Sequence, residues 1–233
     1  MCHGEASSAF PEPGAFRTSS TAPVAAIFGD ESATQRIAIL PDIYGANPFY
    51  QGLATRFADQ GAAVHLIDTF AGLGDLPKAT REAAFARRHK LKDRAFVDHL
   101  EEYLTSAAIT GVVGFCLGGL FVFDLARRRL NASLVAFYPF PQGLPNQDAL
   151  DIPFDYLDET QTDHTVLVGD QDASLGSDLL ARLADVAGRN PSIDLHVFER
   201  SEHGFLADLD SDDEQKRLNA IRALEICETR LAL

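Results

Sequence analysis

Residues 110–119 read Thr-Gly-Val-Val-Gly-Phe-Cys-Leu-Gly-Gly, an apolar strand pattern that runs straight into Gly114-Phe115-Cys116-Leu117-Gly118 and then into a helical pattern. No other stretch constrains the chain as much. Glycine on both flanks of one central residue suits a sharp strand-to-helix turn, where neighbouring backbone leaves no room for Cβ atoms. The central residue then stands above the end of a sheet, at the N-terminus of the following helix. There the unpaired N–H groups and the helix dipole favour thiolate over thiol. Cys116 is therefore the candidate nucleophile. A plain buried cysteine in a glycine-rich turn would carry the same string, so the reading depends on partners elsewhere in the chain.

Those partners come in a definite order. A nucleophile on such a turn takes a carboxylate and then a histidine from later strand ends. The apolar run 164–168 leads into Gly169-Asp170-Gln171-Asp172, and the strictly alternating run 193–198 ends in Glu199-Arg200-Ser201-Glu202-His203-Gly204-Phe205. His203 is the candidate base. Of the other histidines, His65, His164 and His196 fall in strand patterns, His89 and His99 in helical ones, and His3 is terminal. Asp172 is favoured over Asp170 as the residue orienting His203, because it lies farther past the strand end and small residues follow it. An acyl-transfer site also needs donors for a developing oxyanion. The N–H of Leu117, next after the nucleophile, supplies one, and that of Ile43, in the loop after an early strand, is the choice for the second.

The remaining chain alternates between strand and helix patterns. Strand candidates are 24–28 (an edge strand), 36–40, 62–68, 110–114, 133–138, 164–168 and 193–198. Helical patterns cover 48–60, 79–107 with a break near Lys90, 116–130, 176–188 and 213–230. Asn47-Pro48 reads as cap and first-turn proline of a helix. Such alternation specifies an α/β protein with a mostly parallel sheet and helices on both faces. Ligands in these sheets bind beyond the carboxyl ends of the strands, and Asp42, Cys116, Asp172 and His203 all follow strand candidates there. Residues 1–23, with Pro11, Pro13 and Gly14 among Ser and Thr, read as an extended N-terminal arm, and 24–233 as one domain.

With 233 residues, 46% of them apolar and 23% charged, the chain is long enough for one domain with a sizeable core. The net charge of −14 disfavours a nucleic-acid partner. The basic runs Arg81–Arg94 and Arg127–Arg129 read as solvated helix faces. No apolar run reaches membrane-span length and the start has no signal-peptide pattern. Cys2, Cys116 and Cys227 form no disulfide framework. A soluble, cytoplasmic monomer or small homo-oligomer is expected. No histidines stand at i and i+4 and no cysteines pair at ligand spacing, so neither a metal nor another cofactor is expected.

Pro41-Asp42-Ile43-Tyr44-Gly45, Gly114-Phe115-Cys116-Leu117-Gly118-Gly119, Gly169-Asp170-Gln171-Asp172 and Glu202-His203-Gly204-Phe205 together resemble, in order and spacing, the dienelactone hydrolase (carboxymethylenebutenolidase) family. The resemblance spans nearly the whole chain. It implies an α/β-hydrolase fold without a large lid, hydrolysis of a small lactone or ester, and a Cys116-His203-Asp172 triad, so that Asp172 rather than Asp170 is the acid. In the family a carboxylate of the early loop, usually Glu, helps activate the cysteine. Asp42, one methylene shorter, holds that position. Arg81 matches an arginine that holds the substrate carboxylate, with Phe85 where tyrosine is usual. A second arginine, four residues after the histidine, is replaced by Ala207, which removes a charge-assisted hydrogen bond worth about 1.5–3 kcal/mol. Tyr44 and Phe205 are candidate pocket-lining residues. The alternative reading is a non-hydrolytic relative of this fold that binds a ligand or senses oxidants through an accessible thiolate.

Overall fold

Apolar residues run unbroken along the middle strands because both faces of the sheet are covered. In the computed structural model, which describes residues 7–14, 16–18, 23–76 and 78–233, eight strands form one sheet. They are β1 (Phe16–Thr18), β2 (Val24–Phe28), β3 (Arg36–Leu40), β4 (Ala63–Ile67), β5 (Gly111–Phe115), β6 (Ser133–Phe137), β7 (His164–Gly169) and β8 (Ile193–Phe198). Their order across the sheet is β1-β2-β4-β3-β5-β6-β7-β8, parallel from β4 to β8, with β1 and β2 antiparallel at one edge.

Among the described residues six α-helices accompany these strands: α1 (Pro48–Asp59), α2 (Arg81–Arg88), α3 (Asp93–Ser106), α4 (Leu117–Arg127), α5 (Gly176–Arg189) and, after the last strand, α6 (Glu214–Arg230). Successive residues of β3 point to opposite faces. Ile37 and Ile39 pack with Leu53 and Phe57 of α1 and Leu224 and Cys227 of α6. Ala38 and Leu40 pack with Leu100 of α3 and Phe121 of α4. Cys227 is thus core, as the register of its helix implies. The Asn47 side chain caps α1 by accepting from the Phe49 N–H at 3.0 Å, and the 79–107 pattern splits into α2 and α3 around Lys90.

Two expectations are corrected. The segment 24–28 is not the edge strand, because Phe16–Thr18, assigned to the arm, pairs outside it. Farther upstream, Phe10 is only 7% exposed and meets the Phe49 ring edge-on at 5.1 Å, so this part of the arm belongs to the core. Residues 1–6, 15 and 19–22 of the arm lie outside the described residues. Nor are the basic runs simply solvated faces. Arg88 is buried against Asp93 at 2.6 Å, and Arg127 and Arg128 both clasp the fully buried Asp124. No helix among the described residues is long and apolar enough to cross a membrane.

If the arm were merely draped on the surface, shortening Phe10 would cost little. Its burial makes Phe10→Ala destabilising by about 3 kcal/mol, read as a shift in the urea unfolding midpoint with unchanged slope.

Candidate active site

The turn at Cys116 is as sharp as its glycines suggest. Cys116 adopts φ 55° and ψ −108°, a positive φ that side-chain-bearing residues rarely take. Its N–H donates to the Phe137 carbonyl at 3.0 Å, tying the strained residue to β6. A Cβ on Gly114 would lie 2.2 Å from the Gly118 carbonyl oxygen, and one on Gly118 would lie 2.1 Å from that of Leu40. Both contacts are with backbone and cannot relax cheaply. Parallel pairing of Leu40 with Gly114 then brings the loop after β3 alongside the turn. Among the described residues the N–H groups of Ile43 and Leu117 meet no acceptor.

Asp172 and His203, the candidate acid and base, come from the segments that follow β7 and β8, which pair side by side. A Cβ on Gly169 would lie 2.0 Å from the Ser201 carbonyl, so only glycine lets the two strand ends approach so closely. The Asp172 Oδ2 lies 2.7 Å from His203 Nδ1. Its Oδ1 accepts from the Ser174 N–H at 2.8 Å and from the Ser174 hydroxyl, which itself stands 3.0 Å from His203 Nδ1. Burial opposes ionisation of Asp172, but the bonds from His203 and Ser174 prevail and hold its carboxyl below the usual carboxylate range. With Nδ1–H directed at that carboxylate, Nε2 of His203 is the nitrogen left to accept a proton. The imidazole is further held between the rings of Tyr138 at 5.1 Å and Phe140 at 5.3 Å. Asp170, the rival carboxylate, instead accepts from the Arg200 N–H at 2.7 Å.

Cys116, His203 and Ser174 open on one cavity of about 360 Å³. Ile43 and Tyr44 from the loop after β3, and Arg81 and Phe85 from α2, line the same space. Arg81 is exposed, at the first turn of its helix, with its guanidinium 5.5 Å from the Phe85 ring. Asp42 is fully buried and its Oδ1 accepts from the Tyr44 N–H at 2.8 Å, which braces the loop carrying Ile43.

Phe205 is a correction. Its ring is 2% exposed and packs on Tyr138 at 5.7 Å and Phe198 at 5.1 Å, so it backs from the core the Tyr138 ring that His203 meets, and it is not among the residues that line the cavity. A short 3-10 helix, Phe205–Asp210, turns the ring inward. Sequence reasoning also missed Ser174 and the wall residues Phe140, Leu144 and Pro145. Ser174 had a usable signal, since a hydroxyl two residues after Asp suits a side-chain-closed turn. The wall residues lie in the proline-rich stretch after β6, which carries no periodicity to read.

A family model described as "Dienelactone hydrolase family" matches residues 24–226. Carboxymethylenebutenolidase 2 of Cupriavidus pinatubonensis is 50% identical to this chain over 99% of each protein. The carboxymethylenebutenolidase of Rhodococcus opacus is 31% identical over 90% of this chain and 87% of its own length. A solved structure from Klebsiella pneumoniae superposes with a TM-score of 0.75, covering 98% of this chain and 97% of its own at 19% identity. At that distance the likeness shows the fold, an α/β-hydrolase fold.

Two outcomes follow from the geometry. Gly118→Ala must displace either the turn or the Leu40 carbonyl, and is expected to destabilise by about 3 kcal/mol in thermal unfolding while changing the alkylation rate of Cys116. Because the Asp172 pKa is lowered from 3.8, its ionised form contributes stability above about pH 4 that is lost as pH falls through the folded value. Asp172→Asn therefore lowers the urea midpoint at pH 7, and its difference from the parent shrinks at pH 3.

Proposed function

We propose that this chain, which belongs to the dienelactone hydrolase family, hydrolyses small lactones or esters through an acyl-thioenzyme at Cys116. The single observation that carries this reading is the opening of Cys116 and of a carboxylate-oriented His203 on one cavity. In this mechanism Nε2 of His203 takes the thiol proton, and the thiolate attacks the substrate carbonyl carbon. The N–H groups of Leu117 and Ile43 receive the charge that grows on the carbonyl oxygen. As the tetrahedral adduct collapses, the C–O bond of the ester or lactone breaks and the departing oxygen takes the proton back from His203. A water, deprotonated by the same nitrogen, then attacks the thioester carbonyl. The acid leaves, and the thiol is restored.

The other residues take supporting roles in this reading. Asp172 stabilises the imidazolium that forms twice in the cycle, and Ser174 holds Asp172 in place. Asp42, buried one residue before Ile43, is assigned to activation of the resting cysteine. Tyr44 and Arg81 contact the substrate from the cavity wall. A volume of about 360 Å³ lies near the lower end of small-molecule sites, which suits a single small ring or a short ester. A small lactone or ester is thus the partner proposed for this pocket. The alignment of Asp172 with His203 favours hydrolysis over thiol sensing, which needs no oriented base.

Incubating the protein with a panel of small lactones and nitrophenyl esters, and following intact mass, should give turnover and one acyl adduct at Cys116. Cys116→Ala should lose both, with kcat reduced by about a thousandfold or more. Full turnover by that variant on every substrate would overturn the proposal.

A further inference from the structure

The loop after β3 is closed by its own hydrogen bonds. The Gly45 N–H donates to the Asp42 carbonyl at 3.0 Å, and the Tyr44 N–H donates to Asp42 Oδ1 at 2.8 Å. Gly45 completes the turn at φ 76°, a conformation that glycine takes freely. A further hydrogen bond reaches the loop from outside. Arg87, on α2, donates from Nη2 to the Ile43 carbonyl at 3.3 Å. The peptide joining Ile43 to Tyr44 is therefore held at both ends, its carbonyl by Arg87 and its N–H by Asp42. In the preceding peptide the carbonyl is taken by Gly45, and among the described residues its N–H, that of Ile43, meets no acceptor.

Arg87 is itself firmly placed. Its guanidinium carbon lies 4.1 Å from the centre of the Phe70 ring, and a Cβ on Gly45 would come within 3.3 Å of Nη2, so the group packs against both ring and loop. Burial lowers the Arg87 guanidinium from its ordinary value, and the charges of Asp68, Asp75 and Asp42 oppose that shift. Asp42 is the fully buried member of the three. Arg87 is not among the residues that line the cavity, although Arg81 and Phe85 of the same helix are. It reaches the site through the loop rather than from the cavity. Because a peptide unit is planar, fixing the plane after Ile43 and the carbonyl of the plane before it leaves the Ile43 N–H little freedom to turn.

We infer that Arg87 is a positioning residue for the oxyanion donor: by holding the Ile43 carbonyl it keeps the Ile43 N–H turned toward the carbonyl oxygen of a substrate on Cys116. This rests on the reading of Cys116 as the residue that is acylated, and adds to it a side chain that touches neither substrate nor thiol. Losing an oxyanion donor outright costs about a hundredfold to a thousandfold in rate. A donor that stays in the loop but loses its aim costs less, about tenfold to a hundredfold.

The test compares two reactions of the same thiolate. With p-nitrophenyl acetate the sulfur adds to the carbonyl carbon, the oxygen takes the charge, and nitrophenolate then departs. With iodoacetamide the sulfur displaces iodide from a saturated carbon, and no oxyanion forms. Arg87→Met keeps an apolar stem against Phe70, whereas Arg87→Lys keeps the charge facing Asp42, Asp68 and Asp75 but not the planar fork. In Arg87→Met the maximal acylation rate should fall about tenfold to a hundredfold, with half-saturating ester and the iodoacetamide rate each within about twofold of the parent. Arg87→Lys should still acylate about fivefold slower than the parent. Hydrogen exchange of the 41–47 segment, read by mass spectrometry, should quicken at Tyr44 and Gly45 in Arg87→Met while that of β5 holds. Unchanged acylation in Arg87→Met, full recovery with lysine, or equal losses of acylation and alkylation would overturn the assignment. A parent protein that iodoacetamide alkylates but no ester acylates would count against the acyl-thioenzyme reading. Loop exchange untouched by Arg87→Met would then separately overturn the hold of Arg87 on Ile43.

Discussion

The structure turns on a close approach of backbone to backbone around Cys116. Gly114 lies against the Gly118 carbonyl and Gly118 against that of Leu40, at separations that no Cβ could tolerate. This closeness lets β5 end abruptly, lets α4 begin one residue after the cysteine, and holds that cysteine at a positive φ. A strained residue persists only where its surroundings over-determine it. Here the parallel neighbours β3 and β6 do so, one by contact with Gly118 and the other by accepting the Cys116 N–H. The position of Cys116 is therefore a property of three strands rather than of one loop.

From that fixed point the other groups follow by strand pairing. Gly169 brings the end of β7 against the residues after β8, and Asp172 and His203 meet because those two strands are neighbours in register. Ser174 closes the remaining oxygen of Asp172, and aromatic rings at 138 and 140 restrain the imidazole. Each of these contacts lowers the freedom of the side chain it holds. The electrostatics are equally local: a chain of net charge −14 presents at this one cavity two arginines and two histidines.

Much of this was legible in the residues themselves. The strand and helix patterns around Cys116, Asp172 and His203 carry strong periodicity, and the glycines flanking the cysteine have a steric meaning that needs no partner to be read. The break between α2 and α3 and the cap at Asn47 were visible for the same reason. The side of Phe205 was not legible, because an aromatic residue after a strand can face the core or the cavity, and a 3-10 turn decides which. The inclusion of Phe10 and of 16–18 in the folded body was equally hidden, since proline and polar residues around them mask a short pairing.

The amino-acid sequence by itself determined the order of strands and helices, the turn that must hold Cys116, and the strand ends at which carboxylates and a histidine stand, while the choice of Asp172 over Asp170 rested on the family resemblance. These depend on local sterics and periodicity, which act between residues close along the chain. Only the tertiary structure decided which arginine is buried in the wall of the cavity that Cys116 lines, which aromatic rings flank His203 and which stretch walls the cavity. Those outcomes depend on packing between segments tens of residues apart, such as Asn146 against Asp93, and no pattern within either segment records its partner.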